Sequence, residues 1–234
     1  MNRFLFFLLV FSRFTLFAQD PDFYFAKKLF DNKQYSAAQT VFQKILNYNK
    51  DPHSAYYNAR CSKELFLSDA IDLYKNYQED YPYSLYLDNV YEDLALIYFR
   101  KQSYSEALPY FDKINNIGSK NNLVFKWAYA YLSIDSLSDA LYCFSKLINI
   151  ESKYASASRY YCAHIYYKQG LYRTALIHFN KLLNDAKFGK IVPYYISQIY
   201  FSEKEYAKLI SFLDPIINNV IPSRSAEMNR LLAE

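Results

Sequence analysis

The sequence predicts an all-α fold, a solenoid of antiparallel helix pairs, and two observations predict it. An alanine returns in one short context at a near-constant interval, and apolar residues flank each return at the spacing of a helix face. A third observation removes the competing classes. Gly118, Gly170 and Gly189 are the only glycines in 234 residues, and they stand well apart. Phosphate-cradling loops and dinucleotide folds need clustered glycines where backbone approaches a ligand. An all-β chain needs a turn about every 8–12 residues, and 7 prolines with few turn dipeptides do not supply them.

The chain opens with residues 1–19, MNRFLFFLLVFSRFTLFAQ, which read as a secretory signal. Arg3 gives a basic start, Phe4 to Phe11 an apolar run, and Ala18 a small residue near a cut before Asp20. The run falls short of the roughly 20 apolar residues that cross a bilayer. Arg13 inside it and Leu16 before the cut are atypical, so an uncleaved membrane-associated anchor is the competing reading. No cysteine lies near the cut, which argues against the usual bacterial lipid attachment. The expectation is an exported protein, periplasmic or associated with the outer membrane, with no integral span after cleavage.

The repeat follows over residues 20–219, in six copies at approximately 20–52, 53–85, 86–119, 120–153, 154–188 and 189–219. Its marker reads Tyr35-Ser-Ala-Ala38, Leu67-Ser-Asp-Ala70, Tyr104-Ser-Glu-Ala107, Leu137-Ser-Asp-Ala140 and Tyr172-Arg-Thr-Ala175, with gaps of 32, 37, 33 and 35 residues. A weaker copy, Tyr206-Ala-Lys-Leu209, comes 34 residues later. Four residues after each marker stand Phe42, Tyr74, Phe111, Phe144, Phe179 and Leu213. Three further on come Ile45, Tyr77, Ile114, Leu147, Leu182 and Ile216. These steps place all of them on one face of a second, or B, helix.

Upstream lies the first, or A, helix. Twelve residues before the marker stand Ala26, Ala95, Ala128, Ala163 and Ser197, while Ala59 comes eleven before it. Nine before it come Leu29, Cys61, Tyr98, Tyr131, Tyr166 and Tyr200. Where two helices cross, a side chain larger than a methyl would hold the axes apart. Ser103-x-x-Glu106 and Ser136-x-x-Asp139 predict capping boxes at B-helix starts. Gly170 marks an A–B turn, and Pro52 and Pro82 fall between repeats. Pro109 early in a B helix and Pro215 late in one predict a local kink or a lost hydrogen bond. Residues 220–234 read as the A helix of a seventh repeat, so the sequence reads as part of a longer repeat protein. The alternative is a polar cap that closes the stack.

These residues closely resemble the tetratricopeptide repeat family, most clearly in Leu94-Ala95…Tyr98…Tyr104…Ala107…Phe111. The resemblance implies a right-handed superhelical solenoid of about six repeats, with A helices lining a concave groove. Carried over, the groove positions are Phe99 and Arg100 in the third repeat, and Asn122, Phe125, Tyr129 and Leu132 in the fourth. The fifth supplies Tyr160, His164, Tyr167 and Lys168, the sixth Tyr194, Gln198 and Phe201, and the first Phe23, Lys27 and Phe30. Tight packing between repeats could instead bury these rings, and both readings stand. The lysine and asparagine places by which one branch of the family clamps a carboxylate carry Phe23 and Lys27, then Phe125 and Tyr129. That clamp, and the chaperone role attached to it, is not implied.

Function follows as expectation. The chain is 20% aromatic, and such a groove suits an extended or helical peptide. With the exported start, it resembles non-catalytic scaffold repeat proteins of the bacterial cell envelope. Glycan or peptidoglycan binding is an alternative, as is a spacer or self-association segment of a longer protein. Residues 1–19 hold two of the arginines and no acid, so the +4 net charge falls to +2 beyond them, too balanced for nucleic acid. No nucleophile elbow or metal-protease motif occurs, so no enzyme, cofactor or metal is expected. His53 lies at a repeat boundary, while His164 and His178 could approach one another across a turn without a third ligand. Cys61, Cys143 and Cys162 fall in apolar helical patterns and read as core.

Overall fold

A computed structural model of the chain describes residues 21–217 and 222–233. The predicted signal over residues 1–19 lies outside the described residues. Among them are thirteen α-helices and no strand. In order these are α1 (Pro21–Asp31), α2 (Tyr35–Tyr48), α3 (Pro52–Glu64), α4 (Ala70–Asp80), α5 (Leu87–Arg100), α6 (Tyr104–Phe111) and α7 (Asn121–Ser133). There follow α8 (Leu137–Ser145), α9 (Ala155–Lys168), α10 (Tyr172–Asn180), α11 (Val192–Ser202), α12 (Tyr206–Leu213) and α13 (Pro222–Ala233). A short 3-10 turn, Ile117–Ser119, precedes α7. No described helix is long and apolar enough to cross a membrane.

The chain forms two compact bodies, one ending at Val90 and the next beginning at Tyr91. In the first, α1 packs on α2, α2 on α3 and α3 on α4. In the second, α6 packs on α7, and contacts then run successively through α8, α9, α10, α11 and α12, with α13 resting on α11 and α12.

The small residues of the repeat sit at the crossings. Ala26, Ala38, Ala59, Ala95, Ala107, Ala128, Ala140, Ala163, Ala175 and Ser197 are fully buried. Beside them Phe42, Tyr74, Phe111, Phe144, Phe179 and Leu213, each four residues after its marker, are also fully buried. Burial of one such side chain contributes about 1.5–3 kcal/mol, so the period seen in the sequence is the period of the core. Ser197 keeps its hydroxyl satisfied by donating to the Pro193 carbonyl at 2.7 Å, which lets it stand where the other repeats use alanine.

Each A helix ends in the same way. Lys33, Phe66, Gln102, Asp135, Gly170 and Lys204 have φ between 57° and 71°. The amide after each donates to the carbonyl five residues back, as in Gln34 to Leu29 and Glu205 to Tyr200. The left-handed residue itself donates three back, as in Asp135 to Leu132. This is the Schellman closure, repeated six times, and five of the six use a residue other than glycine.

Several local expectations change. Neither Ser103 nor Ser136 caps a backbone N–H. Each instead gives its own amide to the Schellman bond, and the Ser136 hydroxyl meets Asp139 at 3.2 Å. The side-chain cap falls at Asp51, which accepts from the amides of His53 and Ser54, with Pro52 as first residue of α3. Pro109 is the sixth of eight residues of α6. Pro215 lies beyond the end of α12, where a missing N–H costs little. The three cysteines are free and buried, and burial pushes each thiol up to about 12.

Candidate functional site

The A-helix positions assigned to a groove divide by chemistry. In the second body Phe99, Phe125, Tyr129, Leu132, Tyr160, Tyr167, Tyr194 and Phe201 are half-buried and rest against the inter-helix cores. Arg100, Asn122 and Lys168 are exposed, and His164 and Gln198 are half-buried. One face of each such ring packs between helices while the remainder meets solvent. In the first body Phe23 is half-buried against Phe42 and Tyr57, but Phe30 is buried at 8% exposure, and Arg60 lies 4.9 Å over its ring. Phe30 thus belongs to the core. Lys27 pairs with Asp31 and lies 5.3 Å from the Tyr57 ring centre.

Many of these side chains form one aromatic series in the second body. Phe99 meets Tyr129 edge-on at 6.0 Å, and Tyr129 meets Tyr161 at 5.9 Å. Tyr161 contacts Tyr160 at 5.6 Å, and Tyr160 stacks near His164 at 6.2 Å. His164 and Tyr167 both meet Tyr195 at 5.5 Å, and Tyr195 touches Tyr194 at 5.2 Å. Edge-to-face and offset contacts at these separations add about 0.5–1.5 kcal/mol per pair beyond area burial. Each ring in the series is therefore held by contact with its neighbours.

Two residues that hold the wall together, Tyr161 and Tyr195, are absent from the groove positions assigned by resemblance. Both come two residues before the A-helix small residue, and Tyr57 has the same offset. Each stacks on the phenylalanine of the preceding B helix: Tyr57 on Phe42, Tyr161 on Phe144 and Tyr195 on Phe179. That constant offset was the signal available in the sequence.

The polar groups are arranged around the wall. Tyr194 and Gln198 both donate to Glu227 of α13, at 3.2 and 3.1 Å, and Arg224 lies 4.2 Å over the Tyr194 ring. Lys168 reaches back to Asp135 at 3.0 Å. Burial, with Lys168 adding repulsion, holds His164 below the ordinary 6.5, so it presents a neutral ring. Burial likewise raises Tyr160, Tyr161 and Tyr167, which act as neutral phenols. Phe201 stands aside and meets Tyr206 at 5.9 Å. His164 and His178 do not share partners, since His178 stacks on Tyr166. Among the described residues no cluster of three or more His, Cys, Asp or Glu could hold a metal.

No family model and no curated protein sequence matches the chain. Solved structures do. YrrB, described as a TPR protein with an unusual peptide-binding site, superposes with TM-score 0.61 at 16% identity over 81% of this chain and 97% of that one. MamA of AMB-1 gives 0.55 at 21% identity over 69% of this chain and 86% of its own. MamA from Desulfovibrio magneticus RS-1 gives 0.54 at 12% identity over 69% and 91%. At such identities the likeness establishes the fold, which is that of tetratricopeptide repeat proteins.

Proposed function

We propose that this protein is a non-catalytic scaffold that binds a peptide segment of another protein along the A-helix wall of its second body. One observation carries the reading, the continuous half-exposed series from Phe99 through Tyr129, Tyr161, Tyr160 and His164 to Tyr195 and Tyr194. Such a wall offers large contact area already ordered by its own packing, with hydroxyls and amides at its margin to fix orientation. The peptide-binding site attributed to YrrB, which shares the fold, supports the same use. Partner capture requires neither a nucleophile nor a metal.

The exported setting belongs to the same proposal. The basic start, apolar run and Ala18 of residues 1–19 support secretion and a role among envelope proteins. N-terminal sequencing of the protein from fractionated cells tests it. A mature end at Asp20 in an extracytoplasmic fraction is expected, and an intact Met1 in the cytosol would refute it.

Replacing wall rings by alanine would confuse binding with stability, because those rings also pack the helices. Asn122 is exposed at the start of α7, so Asn122→Trp obstructs the wall without emptying the core. Peptides selected from a random library on residues 20–234 should lose at least about tenfold in affinity for this variant. They should bind Tyr142→Trp, altered at an exposed B-helix position, as tightly as the parent. Equal binding by both variants would remove the groove.

A further inference from the structure

The first body holds a cleft of about 560 Å³ between the start of α3, the end of α4 and the loop joining α4 to α5. Small-molecule sites have this size. His53, Asp80, Tyr81, Tyr83, Leu85 and Tyr86 are among the residues that line it. Ser84 fastens the loop. Its amide donates to the Tyr81 carbonyl at 3.1 Å, and its hydroxyl meets that of Tyr77 at 2.6 Å and accepts from the Tyr86 amide at 3.1 Å. Tyr86 stacks on Tyr56 at 4.3 Å, and its hydroxyl meets His53 Nδ1 at 3.0 Å. This tied loop leaves Tyr83 and Leu85 almost wholly exposed, at 96% and 98%.

The cleft is aromatic, and its field is negative. Asp80 supplies a carboxylate, while neither lysine nor arginine lines the cleft. Among the described residues the Asp80 side chain makes no ion pair and no hydrogen bond. Asp80 also ends α4, where the last helical carbonyls add partial negative charge. Burial raises the Tyr81 phenol from the ordinary 10.0, and Asp80 and Asp51 raise it further. Burial raises Tyr86 as well, with Tyr57 and Asp51 adding to it. Aromatic faces attract cations, and elsewhere the chain supplies its own. Lys146 lies 4.0 Å over Tyr142, Lys153 5.3 Å over Tyr154 and Arg224 4.2 Å over Tyr194. No lysine or arginine of the described residues lies over Tyr81, Tyr83 or Tyr86.

We infer that this cleft binds a small organic cation, a substituted ammonium with apolar carbons, Asp80 giving the countercharge and Tyr81 and Tyr83 the aromatic surface. Volume, lining and charge together set the class. An inorganic ion would leave the rings unused, and a neutral hydrocarbon would leave the Asp80 carboxylate without a counterion. The site lies wholly within the first body, so it does not depend on the groove of the second.

The test is titration of residues 20–234 with choline, followed by the NMR signal of its methyl groups. Beside it runs the neutral isostere in which a tert-butyl group replaces the trimethylammonium. Choline should bind saturably, and the isostere at least about tenfold more weakly. Asp80→Asn and Tyr83→Ala should each weaken choline about threefold. Both residues are exposed, so neither change empties the core, and helical circular dichroism checks the fold. Tyr142→Ala and Asn122→Trp, both in the second body, should bind choline as the parent does. Absence of saturable binding, equal binding of the isostere, or full affinity in Asp80→Asn and Tyr83→Ala would overturn the inference. Loss of choline binding in Asn122→Trp would put the cation on the wall and overturn it too. Tighter binding of acetyl-lysine amide than of choline would give the cleft to a partner's side chain, with the same consequence. Peptide capture by the wall is judged separately, by the selection on Asn122→Trp.

Discussion

Tyr195 lies parallel to Phe179, their planes 7° apart and their centroids 5.1 Å apart, while its hydroxyl meets that of Tyr160 at 3.2 Å. One side chain thus joins α11 to α10 through its face and to α9 through its oxygen. The same ring-on-ring relation joins Tyr161 to Phe144 and Tyr57 to Phe42. It separates two contributions by substitution. Tyr195→Phe keeps the stack and removes the hydroxyl contact, a loss of about 1 kcal/mol. Tyr195→Ala removes both and should cost about 2 kcal/mol or more, below the range for a fully buried ring because this one is half-buried. Urea denaturation of the two variants checks the order, and equal losses would mean the stack contributes nothing.

The six left-handed turns predict opposite effects of the same pair of residues. Gly170 has φ 71° and no atom near the place of an added Cβ, so Gly170→Ala meets only the conformational cost of about 1–2 kcal/mol. Gln102, at φ 59°, already bears that cost. Gln102→Gly should therefore raise stability by up to about 1 kcal/mol, part of the gain being offset by the freer unfolded chain. Melting temperatures moving in opposite directions confirm this, and a fall in both would refute it.

Thiol labelling should follow unfolding. Cys61, Cys143 and Cys162 are each no more than 2% exposed, and their thiols stay protonated near neutral pH. An alkylating reagent should leave all three unmodified in the native protein and modify them in denaturant. Peptide mapping by mass spectrometry then reports the first body through Cys61 and the second through the other two. Rapid native labelling at any of the three would contradict the burial.

Alkaline pH should unfold the protein. Burial, reinforced by Asp112, pushes the Tyr131 phenol up to about 12, and burial raises Tyr77, Tyr160, Tyr161 and Tyr167 from the ordinary 10.0. Below pH 10 these phenols are neutral in both states and the stability is fully present. Above it the unfolded chain ionises while the folded one does not, so stability falls as pH rises through the folded values. Tyrosinate absorbance and helical circular dichroism should change together in one step. Gradual ionisation with intact helicity would argue against buried phenols.

The helix pairs were legible because one steric requirement recurs. Most crossings pair a methyl-sized residue with a large ring one turn away, as Ala107 does with Phe111, while the sixth repeat buries Leu209 and Leu213 instead. The caps were less so. Ser103 looked like a capping serine, yet its amide was already committed to closing α5 onto Tyr98. Of the candidate wall, Phe99, Tyr129 and Tyr160 are among the positions the family resemblance implied, whereas Tyr161 and Tyr195 are not. Their shared offset stands in the sequence, but its use as a stacking position depends on the phenylalanine of the preceding B helix.

The sequence by itself determined the repeat period, the residues at each crossing and the core rings, because burial at a helix crossing tolerates few side chains. Tertiary structure decided the rest. Schellman closure is set by backbone geometry that Lys33, Phe66 and Asp135 do not advertise. The double use of each tyrosine, one side in the core and the other toward solvent, depends on how adjacent helices pack.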